Sequence, residues 1–163
     1  YQYIIPAFKE VLKTQPNASL IIANAGGPDK NKIQKLLYNS IPKENFVEIK
    51  FEKDLFSLYQ LFDIYVHTPI DEKLEAFGQT YVEALAAGIP SVFTLSGVAS
   101  EFIEDKKNAL VVPFKDSKSI EKSILLLLED KKLQLKLIKN GKKDVCKLFN
   151  LELFIKKLND LYL

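Results

Sequence analysis

The sequence predicts an α/β domain, a parallel sheet covered by helices on both faces. Three observations carry that prediction. Short apolar runs ("SLIIA", "FVEI", "IYVH", "SVF", "ALVV") alternate with longer stretches whose apolar residues recur every three or four positions. The short runs are apolar throughout rather than alternating, as strands buried on both faces must be. Turn residues punctuate them, above all "AGGP" and "AAGIP".

Each element follows from its own residues. "YQYIIPAFKEVLKTQP" sets Ile4, Ala7, Phe8, Val11 and Leu12 at helical spacing, with Pro6 suited to a first turn and Pro16 to an end. "ASLIIANAGGP" reads as a buried strand entering a tight loop. "DKNKIQKLLYNS" is helical, with Ile33, Leu36 and Leu37 on one face, and "NFVEIKF" is a strand. "DLFSLYQLF" is a short helix that Asp54 can cap. "DIYVHT" is a strand, after which Pro69 opens a polar loop. "FGQTYVEALAAG" is a helix stopped by Gly88 and Pro90. "PSVFTL" and "NALVVP" are strands flanking the loop and helical turn of "GVASEFIED". Three helical stretches follow from Ser117, and Asn140-Gly141 is expected to bend or break the middle one. No repeat, low-complexity segment or linker intervenes, so residues 1–163 read as one domain. Sheets of this kind bind ligands beyond the carboxyl ends of their strands. Those ends are the loops Ala25–Pro28, Lys50–Asp54, His67–Gly78 and Thr94–Glu101.

Composition narrows the function. With 47% apolar residues the chain can bury a sizeable core. A net charge of +2, with both signs mixed, argues against strong nucleic-acid binding. Every basic residue is lysine, which removes the bidentate fork that arginine offers to phosphate. One cysteine, Cys146, excludes an internal disulfide and fits a reducing, cytoplasmic compartment; it is expected to be a packed apolar residue. No apolar stretch approaches the about 20 residues that span a bilayer, and no signal peptide is visible. The chain has no methionine, so it is expected to be a fragment or a trimmed piece of a longer protein. No cluster of Cys or His supports a metal site. Lys131–Lys147 is basic and amphipathic: a solvated helix face, with a peripheral contact to an anionic membrane surface as the alternative. His67, the one histidine, ends a strand facing the crevice: a structural histidine, or a polar contact to a ligand.

The stretch "EAFGQTYVEALAAG" carries the most chemistry. Glu75 lies in a loop after a strand, and Phe77 and Gly78 open the next helix. The free N–H groups of Gly78, Gln79 and Thr80, with the helix dipole behind them, make an anion site that glycine lets a phosphate approach closely. The Thr80 hydroxyl can add a donor. Glu83 follows about one and a half turns into the helix, and a carboxylate, which only accepts hydrogen bonds, suits paired sugar hydroxyls. Glu75 can serve a second sugar on the other side of the phosphate. Acid, phosphate-binding helix start, acid: the order fits a nucleotide sugar. Two readings compete with it. The acids can be solvated charges beside a loop glycine, or they can be a glycosidase pair.

The run Glu75–Glu83 in "EAFGQTYVEALAAGIPSV" resembles the E-x7-E signature of retaining GT-B glycosyltransferases, glycosyltransferase family 4. The surroundings resemble that family in order and spacing: "ANAGGP", "LFSLYQLFDIYVHTP", "SGVASEFIEDKKNALVVP" and "KDSKSIEKSILLLLED". The resemblance runs from about Ala7 to Phe149. It implies the donor-binding, C-terminal Rossmann-like half of a two-domain enzyme, and sugar transfer with retained configuration and no required metal or cofactor. The donor would be a UDP- or GDP-sugar and the acceptor a saccharide, lipid or other molecule. Glu75 would hold hydroxyls of the donor sugar as the catalytic-site acid. Phe77, Gly78 and Gln79 would lie beside sugar and diphosphate, with Gly78 to Thr80 supplying backbone donors, and Glu83 would hold the ribose. Gly26 and Gly27 would line the far side of the nucleotide pocket.

The chain departs from that family's pattern in places. It begins inside the first helix, so the preceding strand, central in the family's sheet, and the basic pair that grips the diphosphate are not in it. The natural protein is therefore expected to extend upstream, into an acceptor-binding domain as well, and this piece alone is expected to be inactive. Ala25 stands where the loop often has its first glycine, Ile70 where serine is frequent, and Val98 where a second glycine is common. The His67–Glu75 loop is two residues longer than the family's. A non-catalytic nucleotide-sugar-binding or interaction module of the same fold is the alternative. A GT-B-fold epimerase is disfavoured, because that class lacks E-x7-E.

Overall fold

The computed structural model describes residues 1–162. Helix α1 (Ile4–Val11) leads into β1 (Leu20–Ala23), α2 (Lys30–Ser40), a 3-10 turn and β2 (Phe46–Ile49). Then come α3 (Leu55–Tyr59), β3 (Tyr65–His67), α4 (Gln79–Ala87), β4 (Ser91–Phe93), α5 (Ala99–Phe102) and β5 (Leu110–Val111). The chain ends in α6 (Ser117–Glu129), α7 (Lys131–Leu148) and α8 (Leu151–Tyr162). Every strand and helix expected from the sequence is present, in the expected order.

All strand pairs are parallel, but they form two sheets, β1-β2 and β3-β4-β5. The sheet is divided between β1 and β3, which are not hydrogen-bonded to each other; the sequence reading has a central strand absent from the chain. Local periodicity announces strands; it does not say which edges meet.

Alternation along the strands of the larger sheet builds two cores. Val66, Val92 and Leu110 face one apolar cluster, shared with α1, α6 and Ile22 of β1. Tyr65, Phe93 and Val111 face the other, with Tyr81 and Leu85 of α4 and Phe102 of α5. The period of two along a strand produces this division. It is what holds α4 against one face with its first turn at the carboxyl end of β3.

Three helix starts are fixed by aspartate. Asp54, Asp116 and Asp130 accept from the backbone N–H of Ser57, Ser119 and Leu133 at 3.0, 3.0 and 2.8 Å. Helix α7 is unbroken through Asn140-Gly141, contrary to expectation. Gly141 is there for proximity: a Cβ on it would meet Leu85 Cδ2 of α4 at 2.9 Å, and Asn140 donates to Lys107 O at 2.8 Å. Leu137, Gly141 and Val145, four apart, are the buried side of α7, and its lysines stay exposed. Cys146 is exposed rather than packed, because it falls one position past that buried stripe.

Candidate functional site

The site is built where β3 and β4 end and α4 begins. Gly78 is the N-cap of α4 in the left-handed region, φ 84° and ψ 55°. That conformation favours glycine, and a Cβ would also strike the Tyr81 ring at 2.6 Å. The cap offers no side-chain acceptor, so the N–H groups of Gly78, Gln79 and Thr80 find no partner among the described residues. They are the orphan donors of a helix start.

The two carboxylates stand on either side of this turn. Glu83 is held by two donors: the Tyr59 hydroxyl to Oε2 at 3.0 Å and Gln79 Nε2 to Oε1 at 2.8 Å. Each oxygen keeps a lone pair for another hydroxyl. Burial pushes the Tyr59 phenol far above its ordinary range, and neighbouring Tyr65 and Glu83 add to that, so it stays a neutral donor. Glu75 receives His67 Nε2 at 3.0 Å on Oε1, and its backbone N–H donates to Ser96 Oγ at 3.1 Å.

The loop after β4 cradles the segment around Glu75. Gly97 N–H donates to Glu72 O at 3.1 Å and Val98 N–H to Phe77 O at 3.0 Å. Gly97 has φ 57°, and a Cβ would meet Phe77 O at 2.8 Å and Glu75 O at 2.9 Å. Beneath, the Tyr81 hydroxyl donates to Thr94 O and Thr94 Oγ1 to Pro69 O, both at 2.7 Å. Burial lowers the His67 pKa, against the opposing pull of Glu75, so the imidazole is neutral at pH 7.

The structure therefore gathers Glu75, Phe77, Gly78, Gln79, Thr80 and Glu83 at one helix start. Phe77 is half-exposed, with its ring edge on Phe149. The Thr80 Oγ1 is buried, with no hydrogen-bond partner among the described residues. Gly26 and Gly27 lie apart, in the loop after β1 of the other sheet. Gly26 lines a cavity of about 190 Å³ with Ala25, Lys30 and Glu48, and none of residues 75–83 reaches it. Tyr59 escaped the sequence reading. Ser96 and Gly97 lie in the Thr94–Glu101 loop that it placed at the crevice, where it gave neither a role.

Comparison with known proteins shows the family and the fold. The family described as "Glycosyl transferases group 1" matches residues 1–144. The chain is 29% identical over 162 residues to the alpha-monoglucosyldiacylglycerol synthase of Acholeplasma laidlawii, covering 98% of this chain and 39% of that protein. It thus spans about two fifths of the relative it matches. The C-terminal domain of the glycosyl transferase group 1 family protein LpcC from Francisella tularensis superposes with a TM-score of 0.80 at 27% identity, covering 92% of this chain and 79% of that one. Anabaena HepE, solved with UDP-glucose, superposes with a TM-score of 0.87 at 19% identity, over 99% of this chain and 44% of its own. With a match over most of its length, the chain belongs to the glycosyl transferases group 1 family and has the fold of the C-terminal domain of GT-B glycosyltransferases.

Proposed function

We propose that the chain is the donor-binding domain of a retaining glycosyltransferase that takes a UDP- or GDP-sugar. The observation that carries this is the turn at Gly78: three unpartnered N–H groups between two oriented carboxylates. A diphosphate fits the helix start, where the dipole and the backbone donors favour negative charge. On one side Glu83, held by Tyr59 and Gln79, receives the ribose hydroxyls; on the other Glu75 receives hydroxyls of the donor sugar. Transfer breaks the bond between the anomeric carbon and the diphosphate oxygen and forms one to an acceptor hydroxyl. The charge that develops on the departing diphosphate lies against the Gly78–Thr80 donors, which need no reorganisation to meet it. The acceptor proton passes to the departing diphosphate, so no side chain of this domain has to act as base. Glu75 orients the sugar rather than attacking it.

The acceptor, a saccharide, lipid or other molecule, belongs to the other domain of a two-domain enzyme. The fact that β1 and β3 each pair on one edge only supports a strand between them, contributed from upstream. The test is calorimetric titration of UDP, GDP, ADP and their sugar conjugates into the chain, an N-terminally extended polypeptide and its Glu83→Ala variant. One nucleotide is expected to bind selectively, and about tenfold more weakly in the variant. A folded, extended protein that binds none of them would overturn the proposal.

A further inference from the structure

We propose that His67 is a positioning residue for the donor sugar: its imidazole holds one oxygen of Glu75 and thereby presents the other to the crevice. The inference rests on the donor-site reading above. The observation is the pair itself. His67 Nε2 lies 3.0 Å from Glu75 Oε1, and Oε2 of the same carboxylate has no partner among the described residues. A carboxylate only accepts, so Nε2 carries the proton and the imidazole is the donor.

The ring is aimed, not merely near. The edge contact of His67 with Tyr81 has its centroids 4.8 Å apart at 80°, and Tyr65 stacks on the ring at 6.4 Å. Tyr81 is itself anchored through its hydroxyl to Thr94 O at 2.7 Å. Glu75 is fixed from behind by Ser96 Oγ. A histidine that served packing alone would spend its ring nitrogens on backbone groups or on solvent. This one donates to the side chain of a signature acid, and both partners stay partly open, 24% and 31% exposed. Burial keeps the ring neutral, so it orients the acid without cancelling its charge. Holding one oxygen removes a rotatable degree of freedom that the acid would otherwise lose on binding sugar.

The prediction separates sugar from nucleotide. In the full chain, His67→Ala is expected to weaken binding of UDP-glucose and GDP-mannose, whichever base is accepted, by about tenfold. It is expected to leave the free nucleoside diphosphate within about twofold. His67→Gln, whose amide N–H can donate to Glu75, is expected to restore most of the sugar affinity. As His67 is the chain's one histidine, its imidazole N–H is a single NMR signal, and it should shift in Glu75→Ala and on adding the conjugate but not the free nucleotide. Equal sugar affinity in His67→Ala and wild type would overturn the inference. So would an equal loss for nucleotide and conjugate, which is the mark of a structural role. Wild-type protein that binds no nucleotide at all would instead remove the donor-site reading on which it stands.

Discussion

Single residues decide whether the helix start is an anion site. At Gly78 a side chain is opposed twice, by its positive φ and by the Tyr81 ring. Gly78→Ala is expected to lose at least about 1 kcal/mol of stability in chemical denaturation, from the left-handed backbone alone. Tyr59→Phe removes one of two donors from Glu83. Nucleotide affinity is expected to fall by about three- to tenfold, the range of a hydrogen bond's net contribution, with the melting temperature nearly unchanged. His67 gives a pH dependence whose sign is set by its lowered pKa. Unfolded histidine titrates at its ordinary 6.5, above the folded value. As pH falls the unfolded state therefore takes up the proton first, and stability present above about 6.5 is lost as pH falls through the folded value. The stability difference between wild type and His67→Gln is expected to shrink from about pH 7.5 to about pH 5. The acids and the glycine were legible as a spaced triplet. Their partners were not, because Tyr59 reaches Glu83 across 24 positions and sequence spacing fixes no side-chain distance.

Elements were legible almost throughout, because each carries its own signal. Asp54 before "LFSLY" and Gly88 after "EALAA" are found as caps where the sequence places them. The failure at Asn140-Gly141 is instructive. A glycine inside a helical pattern reads as a breaker when only propensity is counted, but α4 lies so close to α7 that a side chain at 141 would force Leu85 to shift. Gly141→Leu is expected to destabilise by about 1–3 kcal/mol through overpacking against Leu85 and Asn108, read as a lower denaturation midpoint. An unchanged midpoint would mean that the two helices are not in this contact. Helix α8 is the opposite case. It is amphipathic, yet none of its described residues is buried.

At the scale of the molecule, two apolar clusters on the two faces of one short sheet hold α4 so that its first turn meets the ends of β3 and β4. The α/β class and the parallel pairing were legible, since apolar strands separated by helices admit little else. The division into two sheets was legible only through the family resemblance, which makes the absent first strand the central one. The chain spans about two fifths of the relative it matches. The claim at the centre is more local: the start of α4 binds a diphosphate between Glu75 and Glu83. An amide NMR titration of the full chain with the nucleoside diphosphate tests it most directly. The largest saturable shifts are predicted at Gly78, Gln79 and Thr80, and Glu83→Ala should weaken the apparent affinity. Saturable shifts centred on another loop, with those three amides unmoved, would contradict the account.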